Sequence, residues 1–127
     1  MIHTDDNTFA RIVAQAIDDV PDKYSVHISN LAFIVEEKPT KEQRKRLHLC
    51  KGQTLFGLYE GIPLTKRNSG YNLVLPDKIT VFKHPLEYAS NTLKELEINV
   101  RKTIWHEIAH YFGLDHDQIN SIESRSK

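Results

Sequence analysis

The residues best suited to chemistry lie in the stretch TIWHEIAHYFGLDHDQI, residues 103 to 119. Three histidines, His106, His110 and His116, follow one another there at intervals of four and six residues. Glu107 comes directly after the first of them. Because residues four apart on an α-helix share a face, His106 and His110 can both offer a ring nitrogen to one ion. The spacing therefore predicts a metal site.

The third ligand of such a site has to return to the ion from beyond the helix. Gly113 can adopt a left-handed backbone conformation at a helix end without steric penalty, and that turn would bring His116 toward the ion. Asp115 and Asp117 are alternatives for this position. We favour His116, because nitrogen ligands are common for zinc and its spacing from Gly113 fits. Three neutral imidazoles leave the fourth position of a tetrahedral zinc open for water, which is typical of catalytic sites.

Glu107 is the candidate catalytic base, since it lies one step round the helix from His106 and within reach of the open position. An HExxH motif alone is weak evidence, because two helix histidines often only face solvent. The complete pattern of three histidines, one glutamate and one glycine arises by chance in roughly 5 of 100,000 shuffled sequences of this composition. Metal binding explains the pattern better than chance. Tyr71 and Tyr111 could donate to a developing oxyanion, but packing is the simpler interpretation of both.

A long helix is predicted to carry the two HExxH histidines. Its pattern begins at Asn91 or Thr92, where Glu95 has the spacing of a capping residue, and runs without Pro or Gly as far as Gly113. In its second half, apolar residues point in almost every direction except that of the two histidines. We expect this half to enter the core, with the histidines on its only polar stripe.

The remaining pattern predicts a mixture of helices and strands. KITVFK is interpreted as an edge strand because it has a lysine at each end, and an extended substrate could pair with such an edge. The predicted elements are an amphipathic helix over 6–20, a buried strand over 31–37, a capped helix over 39–47, a strand over 54–61, a loop over 62–77 and the edge strand over 78–83.

Length and charge narrow the class of protein. A chain of 127 residues is expected to form a single domain, 1–127, with 118–127 as a polar tail. Lys plus Arg and Asp plus Glu both total 17, so bulk charge favours neither nucleic acid nor an anionic membrane. With Cys50 as the sole cysteine and a polar start without a leader pattern, we expect a cytoplasmic protein without a membrane partner. No signal for a particular oligomeric state is present.

The motifs resemble those of a known family. HEIAHYFGLDH matches the HExxHxxGxxH signature of metzincin-type zinc proteases. With GLYEGIPLTKR and LPDKITVFKHPLE, the chain resembles a small bacterial family of zinc metallopeptidases described as minimal zincin-like domains. The resemblance implies a compact α+β fold, in which a small mixed sheet packs against the N-terminal helix and the long zinc-site helix. It also implies that His106 and His110 bind zinc, that Glu107 is the base, and that His116 takes the third position, where many members carry Asp.

The expected activity is zinc-dependent hydrolysis of peptide bonds in peptides or unfolded proteins. Glu107 would take a proton from a zinc-activated water and pass it to the leaving amine. One alternative is a zinc-bearing module that binds peptides without cutting them. Another is a zinc-dependent endoribonuclease, since bacterial ribosomal-RNA maturation endoribonucleases share the HxxxHxxGxDH spacing. Those enzymes typically have Gly where this chain has Glu107.

Overall fold

A three-stranded sheet and a long helix form the framework of the structure, a computed structural model that describes residues 1–49, 55–61 and 77–113. The helices and strands confirm the α+β class implied by the family resemblance. In chain order the elements are α1 (Asp6–Asp18), α2 (Asp22–Ser25), β1 (Leu31–Glu36), α3 (Lys41–Arg46), β2 (Gly57–Glu60), β3 (Asp77–Phe82), α4 (Lys83–Tyr88) and α5 (Leu93–Tyr111).

The sheet is mixed, and β3 lies at its centre in the order β1, β3, β2. β1 runs parallel to β3, with Leu31 opposite Asp77. β2 runs antiparallel to β3, with Tyr59 opposite Ile79. Among the described strands, the two edges are therefore β1 and β2.

The prediction that KITVFK, residues 78–83, forms an edge strand is wrong. Strand β3 has a neighbour on each side, and almost all of its residues are buried. The lysines at its ends form ion pairs with acidic residues of neighbouring elements, and they do not protect an edge. Lys78 lies 3.6 Å from a carboxylate oxygen of Glu60, and Lys83 donates to Asp6 at 3.0 Å.

Helix α5 begins and ends close to the predicted positions. The Thr92 hydroxyl accepts from the backbone N–H of Glu95 at 3.1 Å, which satisfies one of the free donors at the helix start. The last helical residue is Tyr111, and Gly113 follows with φ +81°. This left-handed backbone is the one predicted for Gly113.

The hydrophobic core lies between the sheet, α1 and α5. As the apolar pattern predicts, the second half of α5 is buried in it. The central residues of the core are Phe9, Ile12 and Val13 of α1, Ile79 and Val81 of β3, Leu86 of α4, and Leu96, Val100, Ile104 and Ile108 of α5.

Other predicted elements differ in extent from the observed ones. β1 was predicted to be a buried strand, yet Ile34 and Val35 are 37% and 42% exposed, because within the described residues β1 pairs on one side only. β2 begins at Gly57, three residues later than the pattern suggests. Helix α4 was not predicted at all. It places Pro85 in its first turn, where proline is tolerated.

The predicted loop lies outside the described residues apart from Asp77, and the tail over 118–127 lies wholly outside them. Within the part of the chain that the structure describes, no helix is both long enough and apolar enough to cross a bilayer.

Candidate metal centre and catalytic base

Helix α5 brings three of the four predicted site residues together. One ligand atom each from His106, Glu107 and His110 lies within 4.8 Å of the others. The two imidazole rings stand edge to face, with centroids 4.8 Å apart and planes inclined by 75°. Both histidines are half-buried, whereas Glu107 is buried. The fourth predicted residue, His116, lies outside the described residues.

The donor set fits a zinc ion. Two imidazoles one helical turn apart supply the nitrogen donors that zinc prefers, and a carboxylate lies beside them. That these residues bind metal remains a prediction, as does the choice of His116 over Asp115 and Asp117, which also lie outside the described residues.

The Glu107 carboxylate is held by a neighbouring strand. Its Oε1 atom accepts from the backbone N–H of Tyr59 at 3.0 Å, and the residue is 8% exposed. Burial raises the pKa of Glu107 to about 7, while the Tyr59 N–H opposes the shift by stabilising the ionised form. A carboxyl group with this pKa can both accept and release a proton near neutral pH.

The hydrogen-bond pattern of β2 explains why Tyr59 can reach Glu107. The N–H of Phe82 donates to the carbonyl of Phe56 at 2.9 Å, so these residues form a hydrogen-bonded antiparallel pair. Since such pairs alternate along the strands, the backbone groups of Gly57 and Tyr59 face away from β3. The outer edge of β2 therefore faces Glu107, the candidate base.

Gly57 allows β2 and α5 to approach closely. A Cβ atom at this position would lie 2.7 Å from Cγ2 of Thr103, 3.2 Å from the carbonyl oxygen of Thr80 and 3.3 Å from Cγ of Glu107. The first distance is shorter than any ordinary carbon contact. Sequence reasoning missed this role, although a glycine inside a predicted strand is a known sign of close backbone approach.

A groove of about 350 Å³ lies between the start of β2 and α5. It contains the candidate base and one of the two helix histidines, so a substrate lying in it would reach the candidate centre. The residues that line it are Leu55, Phe56, Gly57, Lys102, Thr103, His106 and Glu107.

A second groove of about 290 Å³ lies between α1 and α5. None of the described residues that line it is a histidine or a cysteine, and two of its charged residues, Arg101 and Asp19, approach each other to 3.6 Å. We therefore place the candidate site in the groove beside Glu107.

Of the two tyrosines considered as donors to an oxyanion, the structure describes Tyr111. Tyr111 is fully buried, and its hydroxyl donates to the carbonyl oxygen of Ser29 at 3.1 Å. This agrees with the packing interpretation of Tyr111. Tyr71 lies outside the described residues.

Comparison with known proteins identifies the wider context of this site. The model of a family described as zincin-like metallopeptidase matches residues 28–126. The match spans every element from β1 to α5 and includes all four predicted site residues. Among curated proteins, none matches the chain.

Proposed function

The chain belongs to the zincin-like metallopeptidase family, and on that premise we propose that it is a zinc-dependent peptidase acting on peptides or unfolded proteins. The observation that carries the proposal is the buried Glu107 carboxylate beside the half-buried His106 and His110. A glutamate in this position needs a chemical reason, because burial of a carboxylate is unfavourable unless it is compensated.

In this proposal His106 and His110 hold the zinc ion, and His116 is the third ligand. Asp115 and Asp117 remain the alternatives for that position. When bound, zinc supplies a Lewis acid that makes water more acidic and polarises a carbonyl group. The half-buried imidazoles of His106 and His110 would hold it, and His106 also lines the groove.

Glu107 is the proposed general base and acid. It accepts the proton that water loses as it attacks the peptide carbonyl, and it delivers that proton to the leaving amine nitrogen. The Tyr59 N–H fixes the orientation of the carboxylate by binding Oε1. In the metal-free protein, burial raises the pKa of Glu107 to about 7.

The outer edge of β2 is the proposed place for the substrate backbone. β3 cannot serve, because both of its sides are already paired. The backbone groups of Gly57 face away from β3 in the groove, where an extended peptide could form hydrogen bonds with them. This arrangement would lay the peptide alongside Glu107.

The experiment that tests this function compares substrate classes. Protein loaded with zinc is incubated with a mixed peptide library, with an unfolded protein and with structured RNA. Products are identified by mass spectrometry and gel electrophoresis. We expect cleavage of peptides and unfolded protein, with intact RNA.

Two outcomes would contradict the proposal. Degradation of RNA with survival of the peptides would identify a ribonuclease. Binding of peptides without cleavage of any substrate would identify a peptide-binding module.

A further inference from the structure

We propose that the groove beside the metal centre selects substrates that carry a carboxylate, and that Lys102 binds it. This inference rests on the proposed peptidase function and names its substrate class. The carboxylate can belong to an acidic side chain or to the C-terminus of the peptide, since both offer the same two oxygen acceptors.

The position of Lys102 on α5 is the first support. Lys102 lines the groove together with His106, which lies one helical turn further along the same face. Its position along the helix axis is about 9 Å from the midpoint of His106 and His110, at 1.5 Å per residue. An extended peptide advances about 3.3 Å per residue, so the bound carboxylate would lie about three residues from the scissile bond.

The second support is an uncompensated positive charge. Lys102 makes no salt bridge with any described residue, a property it shares with Lys94, but Lys102 alone of the two lines the groove. The acidic group in the same groove is Glu107, and its Oε1 atom is bound to the Tyr59 N–H. An exposed ammonium group remains available to a ligand.

The groove also has apolar lining at the start of β2. Leu55 is half-buried, and Phe56 is 41% exposed. Apolar surface and a cation in one groove suit a peptide that carries both an apolar residue and a carboxylate. A neutral polar peptide would gain neither interaction.

The test uses matched peptides and matched variants. Each peptide pair differs only by Glu against Gln, placed two to four residues on either side of the cleaved bond, or by a C-terminal acid against an amide. The proteins are wild type, Lys102→Gln and Lys102→Glu. Lys94→Gln is the control, because Lys94 is another exposed lysine of α5 and does not line the groove.

For the wild type we expect kcat/KM to favour the carboxylate peptide by about two- to fivefold at low ionic strength, as for an exposed ion pair. Lys102→Gln should abolish the preference, Lys102→Glu should reverse it, and Lys94→Gln should keep it. Added salt should weaken the preference by screening the charges. Whether Glu or the free terminus gives the preference identifies the source of the carboxylate.

The outcome that overturns the inference is an equal rate for both members of every pair, or a preference that Lys102→Gln retains. Dissociation constants for the same pairs, measured by fluorescence anisotropy with zinc-loaded Glu107→Gln protein, separate this failure from that of the proposed function. If wild type cleaves nothing, the peptidase proposal fails. In that case the inference about Lys102 is tested by binding alone. It stands if the Glu107→Gln protein prefers the carboxylate peptides and the double variant Glu107→Gln, Lys102→Gln does not. It fails if the Glu107→Gln protein binds both members of each pair with equal affinity.

Discussion

The backbone N–H of Tyr59 donates to Oε1 of Glu107 at 3.0 Å, joining strand β2 to the C-terminal part of helix α5. The two residues are 48 positions apart in the chain. The bond fixes a buried carboxylate whose pKa is raised to about 7 by burial. The position of the Glu107 carboxylate and its proton affinity therefore both depend on how β2 packs against α5.

A first prediction concerns the metal-free protein. Its folded state raises the pKa of Glu107 from 4.5 to about 7, so it favours the neutral carboxyl group. The associated stabilisation is fully present below pH 4.5 and is lost as pH rises through 7. A shift of this size corresponds to about 3 kcal/mol of unfolding free energy.

Urea denaturation of chelator-treated protein at several pH values between 4 and 8 measures this loss. Glu107→Gln cannot ionise and should show a smaller decline over the same interval. The difference between the two proteins removes the contributions of other titrating groups. Parallel curves for both proteins would show that Glu107 does not ionise at a perturbed pKa.

A second prediction concerns the close approach at Gly57. Gly57→Ala should lower stability by about 1–3 kcal/mol, the usual cost of overpacking. It should also reduce turnover, because the new methyl group meets Cγ2 of Thr103 at 2.7 Å and lies 3.3 Å from Cγ of Glu107. Zinc affinity should change little.

The matched variant for Gly57→Ala is the double mutant with Thr103→Ser. Serine lacks Cγ2, but its hydroxyl can still donate to the carbonyl of Asn99, as Thr103 does at 2.8 Å. We expect the double mutant to recover part of the lost stability and turnover. Strictly additive losses in the double-mutant cycle would refute the assigned contact.

A third prediction concerns metal content. Wild-type protein should bind about one zinc per chain near neutral pH and release it on acidification, because coordination requires neutral imidazoles. His106→Ala and His110→Ala should each lose this zinc. His84→Ala is the control, since His84 pairs with Glu37 at 2.9 Å on the surface. Equal zinc content in all four proteins would place the metal elsewhere.

A fourth prediction concerns the turn after α5. The backbone of Gly113 has φ +81°. A β-branched residue adopts this left-handed conformation only at a cost of about 1–3 kcal/mol. Gly113→Val should therefore weaken zinc binding without touching the metal. His116→Ala should weaken it as well. Unchanged zinc affinity in His116→Ala, with a loss in Asp115→Ala or Asp117→Ala, would reassign the third ligand.

Local patterns predicted the local features of this fold. Thr92 with Glu95 marked the start of α5, and Gly113 marked its end, because capping and backbone handedness depend on neighbouring residues. His106 and His110 share one face of α5, and Glu107 adjoins that face. Their proximity therefore follows from helical geometry alone.

Non-local features were the ones that sequence reasoning missed. Lysines at both ends suggested an edge for β3, but strand neighbours depend on segments distant in the chain. The bond from Tyr59 to Glu107 and the close contact at Gly57 depend in the same way on β2 packing against α5. Only the glycine within the strand pattern gave a local sign of this packing.

The most direct test of the central claim is the turnover per bound zinc of Glu107→Gln compared with wild type, on the same peptide. Glutamine has nearly the same shape as glutamate, so fold and zinc content should be preserved, and both are checked in the same samples. The loss of a general base predicts turnover lower by about 10² to 10⁴-fold. Undiminished cleavage by zinc-loaded Glu107→Gln would contradict the claim that Glu107 carries the proton.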